Sequence, residues 1–283
     1  MMVVAQLHSR QSAESPAGRI GNRTARPMLL LVATILLSPV AAARVSFAQQ
    51  WVDSRAFGPF VCRSEFSLAP WEGLLSELGG LQQDLADRLG VPPARQPIEL
   101  YFFRDQRSYD QYLKRYLPKV PYRRALFVKR QGPGQVFAYR SRDFETDLRH
   151  ECTHALLHSA LPVVPLWLDE GLAEYFEVPG NRRAFDNPHL RTLRWNLRFG
   201  IVPKIVDLEK NDQWSKMGKS EYRYSWSWVH FMLHGRPEAH DELIKYMADL
   251  RCGVPDDTLS QRLSRRLPDL QDQFVAHFKR WRR

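Results

Sequence analysis

Residues 149–177 read RHECTHALLHSALPVVPLWLDEGLAEYFE: two apolar runs joined by a short Pro-containing link, carrying three histidines and five acidic residues between them. Runs this apolar build cores, and cores ordinarily exclude charge. The ionisable residues therefore need an explanation of their own.

The first run is set up as a helix by its flanks. Ser141 and Asp143 are available caps, Glu145 and Asp147 make the first turn acidic, and Pro162 ends the run, which predicts a helix over about 143–160. At 3.6 residues per turn, Leu148, Cys152, Ala155, Leu156 and Ser159 form one stripe, and His150, His154 and His158 form another. His150 and His154 are one turn apart, so their imidazoles can converge on a single ion, and Glu151 between them can reach a water there. H-E-x-x-H is the metal-binding, base-bearing helix pattern of zinc peptidases.

The second run predicts a helix starting at Pro165, with Leu168, Leu172, Tyr175 and Phe176 on one face and Glu170, Glu174 and Glu177 on the other. The link SALPVVP is short enough to fold this helix back beside the first, and Gly171 leaves room for close approach. A carboxylate from the second helix then completes a tetrahedral site, with two histidines and one position left open for water.

At this point the residues resemble a known group. HECTH followed by LPVVPLWLDEGLAEYF is similar to the gluzincin zinc metallopeptidases, in particular the peptidase-MA-like domains of exported bacterial proteins, which carry H-E-x-x-H, a short connection and a WLxEGLAEY helix. Asp169, Glu170 and Gly171 stand where the gluzincin aminopeptidases have an N-E-G segment, although the connection here is shorter than theirs. The resemblance implies that His150, His154 and Glu170 hold one Zn2+ per chain and that Glu151 is the general base. It also implies that Glu174 accepts a hydrogen bond from a ligating imidazole; Glu174 is the other carboxylate able to serve as third ligand. His158 reads as a structural or cleft-wall histidine. YRYSWSWVHFML, residues 222–233, is similar to a further helix of the same domains, which places Tyr222, or failing it Tyr224, where a phenol stabilises a developing oxyanion. The same residues also suit a purely aromatic core helix. The implied activity is zinc-dependent hydrolysis of peptide bonds in a peptide or protein substrate, and the resemblance spans roughly residues 97–255.

Outside the motif the chain is ordinary globular material: 283 residues, 44% hydrophobic and 25% charged, which excludes a disordered or fibrous protein. Residues 1–48 read as a signal peptide. An Arg-bearing leader precedes the apolar run MLLLVATILLSPVAA (28–42), and small residues allow cleavage after Ala48 or Ala43. The expected product is an exported chain, periplasmic, surface-bound or secreted, that contacts a membrane only if the leader stays uncleaved. Without the leader the net charge falls from +10 to +6, because five arginines and one glutamate leave with it.

Within residues 49–283 the patterns predict an α+β domain. A β-containing part covers about 49–140, with strands at 57–66 and 97–103 and a hairpin formed by 125–129 and 135–140. Helices are expected at 70–91, through 108–117, and over about 141–283. Of three cysteines, Cys62 and Cys252 are candidates to pair, while Cys152 reads as a buried thiol. Two other classes compete with the peptidase. One is a catalytically silent zinc module that binds cell-wall or other anionic polymers, against which the intact Glu151 argues. The other is a polyanion binder using the basic tail FKRWRR; no nucleic-acid module accompanies that tail, so no specific nucleic-acid partner is expected.

Overall fold

The computed structural model describes residues 50–282 apart from 121, 131 and 254, so the expected signal peptide and its cleavage sites lie outside the described residues. A mixed sheet occupies the N-terminal half in the order β1 (Asp53–Phe57), β2 (Phe60–Ser64), β3 (Ile98–Phe103), β5 (Gln135–Tyr139), β4 (Ala125–Val128). β2, β3 and β5 run parallel, while β1 and β4 are antiparallel edges. The strand expected at 57–66 is present as β2, but Phe57 ends β1 and the residues between them form the turn of a hairpin. Gly58 takes φ +49, and a Cβ there would meet the Gly79 carbonyl oxygen at 2.7 Å, so the chain must turn at Gly58-Pro59 and return as β2.

Period-two patterning sorts the sheet residues to two faces. Cys62, Leu100, Val136 and Phe127 are register partners across four strands and belong to the main core with α1 (Glu72–Leu89) and α3 (Phe144–Ala160). Tyr101, Phe103, Leu126 and Phe137 face the other way and bury Tyr109 and Leu113 of α2 (Gln106–Tyr116). A sheet covered on both sides explains why β3 and β5 carry apolar residues on both faces, with Glu99 and Gln135 the polar exceptions at one end.

Helices then take over: α4 (Leu166–Phe176), α5 (His189–Arg198), α6 (Ile205–Glu209), α7 (Lys219–His234), α8 (Pro237–Cys252), α9 (Leu259–Arg266) and α10 (Leu270–Arg280). The molecule is α+β, with a small sheet first and a helical C-terminal half. Among the described residues no helix is long and apolar enough to cross a membrane. Cys62 is buried in the sheet and Cys252 is exposed at the end of α8; both are free thiols, so these two candidates are not paired. Cys152 is buried, and desolvation pushes its thiol pKa well up.

Two local expectations also change. Neither capping candidate closes α3 by its side chain: the Asp143 carboxylate is drawn to Arg124, and the Ser141 hydroxyl accepts from the Asp143 N–H at 3.1 Å. Gly171 does allow a close approach, but by α7 and not by α3. A Cβ on it would lie 2.6 Å from the Ser225 carbonyl oxygen and 2.9 Å from Val229 Cγ2.

Candidate metal centre

α3 is buried on nearly every side, which removes the usual distinction between a core stripe and a wet stripe. His150 is 6% exposed, Glu151 2% and His154 0%, and on α4 Asp169 is 2% and Glu170 0% exposed. The helix is anchored from its first turns by Arg149, whose guanidinium reaches Glu77 of α1 at 2.9 Å and Glu145 at 3.2 Å. Charges this deep must be satisfied by one another or by something bound between them.

The Nδ1 atoms are satisfied by carboxylates. His150 Nδ1–H donates to Glu177 Oε2 and His154 Nδ1–H to Asp169 Oδ1, each at 3.0 Å. An acceptor at Nδ1 fixes the tautomer and leaves the Nε2 lone pair free. Among the described residues those lone pairs have no hydrogen-bond partner, and neither does either oxygen of Glu170. His150 Nε2 lies 3.5 Å from Glu170 Oε2, and His154 Nε2 lies 3.6 Å from Glu170 Oε1. Leaving such groups unmatched costs about 1–3 kcal/mol each.

A zinc ion fits this arrangement. Bonds of about 2.1 Å at a tetrahedral angle put neighbouring ligand atoms about 3.4 Å apart, close to the observed separations. His150, His154 and Glu170 each offer an atom within 4.8 Å of the others. The electrostatics agree in sign: burial acts to lower the His150 pKa, but Glu170 and Glu177 outweigh it and raise it well above the ordinary imidazole value. The pocket favours positive charge at that point.

Glu174 makes no hydrogen bond to His150 or His154, although one of its oxygens lies within 4.8 Å of a His150 ring nitrogen. Its carboxylate accepts from His189 Nε2–H on α5 at 2.9 Å, and the position expected of it is filled by Glu177 and Asp169. Helical phase accounts for this. Seven residues after Glu170 the helix has turned about 700°, so Glu177 comes back within about 20° of Glu170, whereas Glu174 lies about 40° to the other side. Asp169 also accepts from His158 Nε2–H at 2.9 Å, which makes His158 a brace behind His154 and explains the spacing of the third histidine. Despite its burial, the Asp169 carboxyl is held below its usual pKa by His154 and His158. The place of Asp169 in the pattern was legible; its hydrogen bonds to two histidines were not.

Glu151 and His150 line an open cleft of about 520 Å³ whose far wall is the segment before β4, including Tyr122, Arg123 and Arg124. The Glu151 Oε2 atom is buried and unpartnered. Tyr222 enters from α7, whose contact with Gly171 at Ser225, three residues on, fixes how near its first turn comes. Its hydroxyl is buried with no partner, and burial followed by the charges of Glu170 and Glu174 raises its pKa, so the phenol stays protonated and can donate. Tyr224 is turned away, its hydroxyl accepting from Asn196 at 3.2 Å. Arg123 was not foreseen. Its Nε is buried without a partner, and its charge is close enough to act on Tyr222.

No family model matches the chain, and no curated protein does. Among solved structures, it is similar to the M1 zinc metallopeptidase from Deinococcus radiodurans and to a point mutant of that enzyme. Each match has 15% identity and TM-score 0.47, over 81% of this chain and 51% of the other. The chain thus spans about half the length of those structures.

Proposed function

We propose that the chain is a zinc-dependent peptidase. The observation that carries the reading is the set of buried, unpartnered atoms of His150, His154 and Glu170 at near-tetrahedral spacing, with the unpartnered carboxylate of Glu151 beside them at an open cleft. His150, His154 and Glu170 hold the metal, and Glu177 and Asp169 keep the two rings turned toward it. Bound there, zinc supplies Lewis acidity, which polarises a carbonyl and makes water a stronger acid. Glu151 accepts the proton of the attacking water and returns it to the departing amine. The Tyr222 hydroxyl donates to the oxygen on which negative charge grows. The burial of these side chains keeps their dipoles fixed before the substrate arrives.

The test is Glu151→Gln assayed on a mixed-sequence peptide library, with zinc content measured on the same samples. The variant keeps its zinc and loses about 10³-fold in turnover. Parental turnover in that variant would rule out the proposed base and with it the peptidase mechanism.

A further inference from the structure

The outer side of α5 has features the metal centre does not use. Its inner side buries Leu190, Leu193 and Leu197, while Trp195 and Phe199 are 59% and 61% exposed with ring centroids 4.5 Å apart, and Ile201 beyond them is 49% exposed. Two rings in tilted contact and an isoleucine, all held in water, contribute nothing to a monomer's core. Arg191 and Arg198 line a cleft with Trp195, and Lys204 follows Ile201 in the chain; all three are exposed, and none has a side-chain hydrogen bond or ion pair among the described residues.

The surface is also concave. Clefts of about 830 and 410 Å³ flank the helix and share Arg194 and Arg198 as walls. The larger adds Arg182, Arg191 and Trp195, and the smaller adds Lys279 and Arg282 from the basic tail. The acidic residue of the larger cleft, Asp186, is paired with Arg182 at 2.9 Å.

We infer that this face docks the protein on an anionic lipid bilayer, with Trp195, Phe199 and Ile201 entering the headgroup boundary and the flanking cations taking lipid phosphates. Charge complementarity selects this occupant. A neutral protein partner would cover the rings but leave the surrounding cations unpaired. A soluble polyanion would pair the cations but leave the rings in water. A bilayer with anionic headgroups satisfies both, because aromatic side chains settle at its interface and arginine stems can lie along apolar surface with their heads at the phosphates. The inference is independent of the peptidase reading.

The test uses the chain without its first 48 residues, whose apolar run would bind lipid by itself; the described residues from Trp51 onward form one unit. The protein is sedimented with vesicles of phosphatidylcholine alone and of phosphatidylcholine mixed with phosphatidylglycerol. Binding is expected only to the mixed vesicles, weakening as salt is raised. Arg191→Gln/Arg198→Gln lowers affinity about 25-fold, at about fivefold per arginine. Trp195→Ala/Phe199→Ala lowers it more than about tenfold. Arg194 is left in place because it donates to the Trp281 carbonyl. All four altered side chains are exposed, so thermal unfolding of the variants should match the parent, and the salt titration of the unaltered protein stands whether or not they fold. Absence of sedimentation, or equal binding to neutral vesicles, overturns the inference. So does binding to polyphosphate that matches vesicle binding and is unaffected by Trp195→Ala/Phe199→Ala, which would make the surface a polyanion site.

Discussion

The molecule carries two buried or half-buried trios of histidine with related spacing and opposite chemistry. On α3, His150, His154 and His158 follow one another every fourth residue. At the junction of α7 and α10, His230 and His234 are likewise four apart and meet His277. Around the first trio stand Asp169, Glu170 and Glu177. Among the described residues the second has no carboxylate partner: His230 donates to the Ala184 carbonyl at 2.9 Å and accepts from His277 at 3.1 Å, and His234 hydrogen-bonds the Tyr175 hydroxyl at 2.7 Å. Trp281 packs against all three rings. Burial therefore drives the second trio toward neutrality, well down for His230 and to about 4 for His234 and His277, while carboxylates overturn burial at His150. Spacing brings imidazoles together; counter-charge decides whether the cluster attracts a cation.

The largest expected effect sharpens that contrast directly. His150→Ala or His154→Ala removes most of the bound zinc and the activity with it, whereas His234→Gln leaves zinc content at the parent level. Metal analysis of purified protein reads both, and zinc lost equally from the two clusters would abolish the distinction.

Next in size is the separation of Glu170 from Glu174. Glu170 faces both Nε2 atoms with no other partner, and Glu174 is committed to His189, so Glu170→Ala releases zinc to a chelator much more readily than Glu174→Ala. The reverse order would move the third ligand one turn along α4. Smaller again are Glu177→Gln and Asp169→Asn, which keep shape but remove the charge behind each ring. Each should weaken zinc affinity about 10- to 100-fold in competition titrations, and no change in either would mean that the Nδ1 contacts do not orient the ligands.

The smallest effect belongs to the second trio. His234 and His277 are depressed to about 4 from 6.5, so as pH falls the unfolded chain takes the proton first. Their contribution to stability is complete above about pH 6.5 and is lost as pH falls toward about 4. His277→Gln keeps a donor for His230 without a titrating ring, so its thermal midpoint should vary less than the parent's across this window, with chelator present in both. A parent curve no steeper than the variant's would show that this cluster carries no such linkage.

The sequence was most legible where short-range periodicity governs. The α3 and α4 helices, the 98–103 strand and the hairpin of β4 and β5 all follow from apolar spacing and turn residues, and α+β follows from their order. Glycine was harder to read. Gly58 looked like part of a strand until its approach to Gly79 required a turn, and Gly171 announced a close contact whose partner is α7 and not the expected α3. Carboxylates were harder still, because a side chain with several rotatable bonds can reach any of several neighbours, and neither Glu177 nor Asp169 advertises its histidine.

The sequence by itself determined that His150 and His154 share one side of a helix with Glu151 between them, because 3.6 residues per turn allows nothing else. It also put Glu170 on a second helix a short link away. Only the tertiary structure decided that Glu170 meets both Nε2 atoms, that Tyr222 approaches through the contact of α7 with Gly171, and that Glu177 and Asp169 take the Nδ1 positions. Helical phase is a local property fixed by backbone geometry, whereas the distance between two helices depends on every residue packed between them.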